Sequence, residues 1–171
     1  MKWVTRRYVH VDRTACPWLI KRFVDPKAEF LFVPLEKIEE IVTKETAIPY
    51  DAPNVELGHH GERCSFDSII EKYKIKDPAV LELAKIVRAA DTDTMEKVPE
   101  AAGLEAIMSG MGIESKDDHE TVAKAIPVYD ALYTNCKLRL IREKYKSEIE
   151  KMDRNERREF LKKKLEKNLI Y

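Results

Sequence analysis

The order strand, helix, strand at the N-terminus constrains the fold more than any other feature of this sequence. Residues 3–11 are rich in β-branched and aromatic side chains, which is typical of a strand. Pro17 suits the first turn of a helix, and the helix is expected to end at Asp25 and Pro26. A short apolar strand at residues 30–33 follows. This segment therefore predicts a βαβ-like unit with a short helix.

Helical spacing of apolar residues dominates the rest of the chain. The strongest start signal is Asp77, a capping residue, followed by Pro78 at the first helical position. Gly110 and Gly112 are expected to end one helix, and Pro127 to kink or interrupt another. The predicted helices cover residues 35–44, 66–73, 78–90, 99–108, a segment that opens at 117–118, and 154–168. The predicted fold class is α+β, mostly helical with a short N-terminal β-sheet and a charged C-terminal helix.

Charge is divided unevenly along the chain. Residues 137–171 carry 13 Lys and Arg against 7 Asp and Glu, whereas residues 1–136 carry 18 against 24. Asp153 and Glu156 fit a capping box at the start of the last helix. We expect one domain at 1–136 and a charged helical extension at 137–171. A solvated helix explains this extension better than a nucleic-acid contact does, and contact with an acidic surface or a second copy stays open.

The composition predicts a cytoplasmic protein without a membrane-spanning helix and without disulfides. No run of eighteen apolar residues exists, which argues against a membrane-spanning helix and a membrane partner. The first residues lack the apolar core of a signal peptide, so the expected location is the cytoplasm. Cys16, Cys64 and Cys136 are odd in number and widely spaced, which predicts reduced thiols rather than disulfides.

The stretch from residue 55 to residue 67 concentrates side chains that can act as ligands. Gly58 and Gly61 bracket a histidine pair, which indicates a shaped loop. Ser65 is expected to cap the following helix. The loop offers His59, His60, Glu62, Cys64 and Asp67 as candidate ligands. A ligand-rich loop that enters a helix N-terminus can hold a metal or an anion, although an exposed polar loop is an equally good interpretation.

Other polar groups lie at predicted element ends. His10, Asp12, Arg13 and Cys16 lie where the first strand gives way to a helix, the usual place for functional side chains, although an exposed ion pair explains them too. Asp91 opposes the dipole of the helix that it ends, which suggests a cation partner; Asp93 or Thr94 can simply cap the next helix.

Two further carboxylate groups have simpler explanations. Asp117 and Asp118, next to His119, are best explained as helix caps. Asp130 lies in a helical segment of otherwise apolar character, so it needs a partner if it is buried.

Several strings resemble one known family. They are WVTR at 3–6, VDRTACPWLIKRF at 11–23, AEFLFVP at 28–34, GHHGERCSFD at 58–67, IVRAADT at 86–92 and YDALY at 129–133. Together they resemble the family of the C-terminal domain of the chromate-resistance protein ChrB, over residues 3–136. This family is linked with chromate resistance and chromate-responsive regulation, and the resemblance implies such a role here.

The resemblance also implies site residues. The family pattern H-x-G-x-x-x-[ST]-F-[DE] matches from His59 to Asp67 and favours His59 over His60. The Val-Asp-Arg motif of the family falls on Asp12 and Arg13, and its acidic position after the Ile-Val helix falls on Asp91. Full-length ChrB has an N-terminal region that this sequence lacks, so a DNA-binding role tied to that region is not expected. The charged tail lies outside the pattern, which suggests a stand-alone version of the domain.

These observations predict a domain that binds a small inorganic ion, either a metal ion or an oxyanion. For a divalent metal, zinc, manganese or iron, the preferred ligands are His59, Asp67 and Asp91, with His60 and Cys64 as alternates. For an oxyanion, the candidates are Arg13, Arg63 and Ser65. One alternative is a metal-dependent enzyme in which Asp12 and Arg13 are catalytic, with Asp12 or Asp67 as the base. Another is a regulator that acts through the basic tail.

Overall fold

The computed structural model describes residues 1–92 and 98–167, and the fold is given for these residues. Three strands are followed or separated by helices, in the order β1 Lys2–Arg6, α1 Val11–Phe23, β2 Glu29–Val33, α2 Ile38–Glu45, β3 Ile48–Pro49, α3 Ser65–Lys72, α4 Pro78–Asp91, α5 Pro99–Glu114, α6 Asp118–Lys144, α7 Lys146–Ile149 and α8 Arg154–Glu166. A short 3₁₀ turn, Leu35–Lys37, precedes α2. In the described part of the chain, no helix is both long and apolar enough to cross a membrane. The predicted α+β class, mostly helical, is confirmed.

The sheet has three parallel strands in the order β2-β1-β3. The central strand β1 pairs with β2 from Lys2 opposite Glu29 to Arg6 opposite Val33, and with β3 through Trp3 opposite Ile48. The predicted βαβ unit is confirmed, because α1 connects the parallel strands β1 and β2. After β2 the chain crosses to the other side of β1, which leaves a crevice at the carboxyl ends of β1 and β3.

Alternate residues of β1 face two different cores. Trp3 is fully buried in the main core together with Trp18 and Phe66, on the face covered by α1, α3 and α4. Val4 faces the opposite way, into a smaller cluster with Ile38 of α2. The period of two along a strand explains this division.

The first strand is shorter and the first helix longer than the sequence predicted. The strand ends at Arg6, and α1 begins at Val11 rather than at Pro17, which lies buried inside the helix. A proline inside a helix costs about 3 kcal/mol, but Val11, Trp18 and their neighbours bury apolar surface from the first turn onward. Asp12 consequently lies in the first turn of a helix, where its direction is fixed.

The glycines of α5 do not end the helix where the sequence predicted. The helix continues through Gly110 and Gly112 to Glu114. A glycine costs only about 1 kcal/mol inside a helix relative to alanine, and the buried side chains of Leu104 and Met108 hold α5 against the core. Pro127 likewise lies within the continuous helix α6 and does not interrupt it.

The charged extension begins inside α6, which runs without a break across residues 136 and 137 to Lys144. Helix α8 begins after the predicted capping box of Asp153 and Glu156. Its predicted end at Asn168 lies outside the described residues. The apolar stripe of α8 packs on the same molecule, with Leu161 next to Ile141 and Ile149 in a small separate cluster. The division of the chain at residue 136 stays a prediction.

Deleting the residues after Met152 should leave the body folded, because α8 contributes only to this small cluster. We expect the far-UV helical signal to fall only by the contribution of the 13 residues of α8. The free energy of unfolding should fall by about 1–3 kcal/mol. The fluorescence of Trp3 and Trp18, which are buried in the main core, should not change. A collapse of helical signal well beyond one helix would show that α8 is part of the main core.

Candidate metal centre

The candidate site lies at the carboxyl edge of the sheet. Asp12 is in the first turn of α1, Asp51 comes two residues after β3 and Asp91 is the last residue of α4. His59, in the loop before α3, faces all three of these carboxylates. Four separate segments therefore contribute side chains to one small volume, at the crevice that the strand order creates.

The ring nitrogen Nε2 of His59 is at the centre of the site. It lies 3.3 Å from Oδ2 of Asp12, 3.2 Å from Oδ1 of Asp51 and 3.4 Å from Oδ2 of Asp91. One N–H cannot point along three such directions, and charge-assisted bonds are usually about 2.7–2.9 Å long. Hydrogen bonding from His59 alone therefore does not account for the convergence of three carboxylates.

Glycine allows the loop to bring His59 to this place. A Cβ at Gly58 would lie 2.8 Å from the carbonyl oxygen of Ala52, so only glycine permits the close approach of the two backbones. The N–H of Asp51 donates to the carbonyl of Leu57 at 3.0 Å and ties the same segments together. Gly61 has a φ of 63°, so the shaped loop predicted from the two glycines is confirmed.

Asp12 is the most firmly held carboxylate of the site. Its Oδ2 accepts the N–H of Ser65 at 2.6 Å, and its Oδ1 accepts the N–H of Phe66 at 3.0 Å. These amides belong to the first turn of α3, so the helix dipole also favours the negative charge. With 1% of its side chain exposed, Asp12 has one fixed orientation beside His59.

Asp51 is a site residue that the sequence analysis did not single out. Its Oδ2 accepts a 2.8 Å hydrogen bond from Nη1 of Arg13, and its Oδ1 accepts one of 3.3 Å from the hydroxyl of Ser65. Its φ of 45° is unusual for a residue other than glycine, although aspartate tolerates it better than most. No local signal in the sequence marks Asp51, because only the pairing of β3 with β1 places it beside His59.

The surroundings raise the pKa values of two groups of the site, Asp91 and His59. Burial, together with the charges of Asp12 and Asp51, raises the pKa of Asp91 to about 7. The hydrogen bond and charge of Asp12 are the main causes that raise the pKa of His59 to about 9. The protons, like the proposed cation, would reduce repulsion between carboxylates that the fold holds close together.

The structure does not bring Asp67 to this group. Its Oδ2 accepts the N–H of Cys64 at 3.2 Å, and its Oδ1 accepts a bond of 3.2 Å from Nη2 of Arg88. Asp67 thus completes the cap of α3 and links α3 to α4. The N-cap residue is Cys64 rather than the predicted Ser65, because the capping box pairs Cys64 with Asp67, its third helical residue.

The alternate ligands also lie apart from the cluster. Nε2 of His60 is 2.9 Å from the carbonyl oxygen of Glu56. Burial raises the pKa of the Cys64 thiol, which opposes the thiolate form that binds metals. Arg63 pairs with Glu71 on the surface.

The remaining polar groups have structural partners. The carboxylate of Asp117 caps α6, and that of Asp118 accepts the N–H groups of Tyr8 and Val9. Asp130 accepts the indole N–H of Trp18 at 2.8 Å, although its side chain is 41% exposed and the condition of burial is not met. Asp93 and Thr94 lie outside the described residues.

One ligand atom from each of Asp12, His59 and Asp91 lies within 4.8 Å of the others. These three residues are thus close enough to share one ion. The side chain of His59 is 44% exposed, so the group is open to solvent on one side. A small cavity beside His59, to which Asp12 and Asp91 do not contribute, is lined by Arg6, Asp51, Ala52, Pro53, Asn54 and His59.

Comparison with known proteins decides the family. The sequence pattern described as ChrB, C-terminal domain, matches residues 3–136. The chain belongs to the ChrB C-terminal domain family. A relative named Protein ChrB, from Cupriavidus metallidurans, is 32% identical over 135 residues, which is 78% of this chain. The same region is 40% of the relative, so the chain corresponds to less than half of that protein. No solved structure matches.

The ChrB C-terminal match contains the whole cluster and stops before the charged extension. Asp12, Asp51, His59 and Asp91 all lie between residues 3 and 136. The extension from residue 137 onward, including α8, lies outside the matched region.

Metal-free protein should become less stable as pH rises from about 4 to about 9. The pKa of Asp91 is raised from 3.8 to about 7, so the folded state keeps a proton that the unfolded state loses earlier. The pKa of His59 is raised from 6.5 to about 9, so its stabilising contribution is complete below 6.5 and is lost as pH passes 9. The urea midpoint of unfolding should fall as pH rises across this range, in the parent and in the control variant His60→Ala. A midpoint that stays level or rises would contradict the raised pKa values of Asp91 and His59.

Proposed function

We propose that Asp12, His59 and Asp91 bind a divalent metal ion. The observation that carries this proposal is the approach of three carboxylate oxygens to Nε2 of His59, at 3.2–3.4 Å. Ligand atoms about 2.0–2.2 Å from one metal ion are separated from each other by about 3.0–3.5 Å. The distances between Nε2 of His59 and the oxygens of Asp12 and Asp91 therefore fit the edges of a metal coordination polyhedron.

The electrostatics favour a cation over an anion. Asp12, Asp51 and Asp91 bring three carboxylates to the site, while Arg13 is already paired with Asp51. The N–H groups of Ser65 and Phe66, which an oxyanion would need, are used by Asp12. Direct oxyanion binding by Arg13, Arg63 and Ser65 would therefore have to break contacts that the protein already makes.

One nitrogen and two carboxylate ligands suit manganese, iron or zinc. Asp51 would then be an outer carboxylate, because Arg13 holds its Oδ2 at 2.8 Å while its Oδ1 lies 3.2 Å from His59. Its Oδ1 faces Nε2, the nitrogen that would bind the metal, so Asp51 does not orient His59 through the other ring nitrogen. Cys16 and Cys64 are less suitable ligands, since burial raises the pKa of both thiols.

A role in the response to chromate is proposed on the basis of family membership. The chain corresponds to 40% of Protein ChrB, so the activity of that whole protein does not transfer automatically. In our proposal the ChrB C-terminal domain contributes a metal-binding unit to chromate resistance. Chromate could then meet the protein at the metal rather than at arginines.

An enzymatic role is the second candidate, and the open side of the site favours it. Three protein ligands with free coordination positions are typical of catalytic metal centres, whereas structural centres are closed. His59 is 44% exposed, so a substrate could approach the metal from solvent. Because Asp12 is held by two backbone amides, Asp51 is the better placed carboxylate to accept a proton beside the metal.

The decisive comparison is between the two neighbouring histidines. In calorimetric titrations of untagged, chelator-treated protein with MnCl₂, ZnCl₂ or anaerobic ferrous salt, His59→Ala should weaken binding at least about tenfold, or about 1.4 kcal/mol. His60→Ala is a matched control and should change binding by less than about twofold, since the His60 ring faces the carbonyl oxygen of Glu56 and is not part of the cluster.

Two outcomes would contradict the metal proposal. Equal metal binding by the parent and His59→Ala would place any bound metal elsewhere. Chromate binding by the metal-free parent, lost in Arg13→Ala, would support the oxyanion alternative instead.

Asp91→Asn should stabilise the metal-free protein while it abolishes tight metal binding. The change removes a buried negative charge that Asp12 and Asp51 disfavour, and the amide oxygen can still accept the N–H of Asp12. At pH 8 we expect a gain on the order of 1 kcal/mol in urea unfolding. A loss of stability in the absence of metal would show that the cluster is a hydrogen-bonded structural group.

A further inference from the structure

A groove between α6 and α8 combines an apolar floor with a positively charged rim. Leu138, Leu161 and Leu165 line its floor. Arg142, Arg154 and Arg158 line its rim. We call this the arginine groove. Of the described residues that line it, none is acidic.

The rim carries charge that the described part of the molecule does not neutralise. Within residues 1–92 and 98–167, Arg142, Arg154 and Arg158 have no carboxylate within 4.0 Å. Arg154 and Arg158 are four residues apart on α8, and like charges at this spacing destabilise a helix by roughly 0.2–0.5 kcal/mol. The arrangement therefore costs folding stability and would gain energy from an acidic partner.

Two of the three acidic residues of α8 are used elsewhere, and the third, Glu166, does not line the groove. Glu156 accepts the N–H of Asp153 in the capping box, and Glu159 receives a 3.3 Å bond from Lys162. Neither carboxylate belongs to the lining of the groove. A partner that supplies carboxylates to the rim would not have to compete with an existing ion pair of Arg154 or Arg158.

The floor requires apolar groups from the same partner. Leu161 is buried against Ile141 and Ile149, but Leu138 and Leu165 are only half-buried and keep apolar surface in the groove. Burial of such surface contributes about 25 cal/mol per Å². An inorganic anion would satisfy the arginines and leave this floor exposed.

We propose that the arginine groove binds an acidic amphipathic helix of a partner protein. Leucine-type side chains of that helix would pack on the floor, and carboxylates along its edges would pair with the rim, as in helix-in-groove recognition. The lining residues on α8 run from Arg154 to Leu165, about 17 Å along the helix, which matches about three turns of a bound helix.

Nucleic acid fits the groove less well. Single strands are usually bound with aromatic rings on which bases stack, and no described residue of the groove is aromatic. Phe160 and Tyr145 pack against each other, with ring centroids 5.6 Å apart, and do not line the groove. A phosphate backbone would also gain nothing from Leu138 and Leu165.

The proposal is independent of the metal centre. The arginine groove lies in the extension beyond residue 136, outside the matched family region. Neither the cluster around His59 nor its proposed ion contributes to the groove.

The test uses the full chain and two synthetic peptides of equal composition. One peptide of about 16 residues has leucines on one helical face and glutamates around them; the other has the leucines spread around the helix. Fluorescence anisotropy should show binding of the first peptide at least about tenfold tighter than of the second. The double variant Arg154→Glu with Arg158→Glu should bind the first peptide about tenfold or more weakly than the parent does. Added salt should also weaken the binding of this peptide to the parent.

The matched control is Lys146→Glu with Lys151→Glu, which makes the same charge change at exposed residues outside the groove. It should change peptide binding by less than about twofold. A second variant, Leu165→Asn, tests the apolar floor without a change of charge. It should bind the first peptide more weakly than the parent does. Circular dichroism should confirm that each variant is folded.

Three results would overturn the proposal. Equal binding of the two peptides would show attraction by charge alone. Tighter binding of a DNA duplex, unaffected by Leu165→Asn, would identify a nucleic-acid surface. Self-association in light scattering that Arg154→Glu with Arg158→Glu abolishes would identify a second copy of this chain as the occupant.

Discussion

The carboxylate of Asp12, held by the first amides of α3, is the interaction on which the rest of the site depends. Its two oxygens accept the N–H groups of Ser65 and Phe66 at 2.6 Å and 3.0 Å. This contact joins the beginning of α1 to the beginning of α3, which are distant in sequence. It also draws the loop that carries His59 over the carboxyl edge of the sheet. Together with the close approach at Gly58 and the bond from the Asp51 N–H to Leu57, this anchor holds His59 beside the ends of β1 and β3.

The position of Asp12 has an electrostatic consequence for its neighbours. Burial and the charges of Asp12 and Asp51 raise the pKa of Asp91, which shows that the three carboxylates repel one another. The surrounding cations compensate only in part: Arg13 pairs with Asp51 at 2.8 Å, and Arg88 is used by Asp67. A proton on His59 offsets some of the remaining repulsion. A divalent ion would offset more of it, which is why we interpret the cluster as a binding site rather than as a stabilising network.

The sequence predicted the fold class and most of the elements, because caps and apolar spacing are local. Asp77 with Pro78, and Asp153 with Glu156, begin α4 and α8 as predicted. The errors arose where packing overrides local preference, as at Pro17, which is buried within α1. The prediction for Gly110 failed for the same reason, because buried side chains on α5 outweigh the weak helix preference of glycine.

For the site, the residue pattern identified Asp12, His59 and Asp91 but not their relation to one another. Asp91 stood out because a carboxylate at a helix C-terminus opposes the dipole. Asp67 looked equally suitable in sequence, yet Arg88, one turn before Asp91 on α4, holds it away from the cluster. Asp51 carried no local signal at all, since only the parallel pairing of β3 with β1 places it beside His59. Local patterns thus identify candidate ligands, whereas the strand order decides which of them can share an ion.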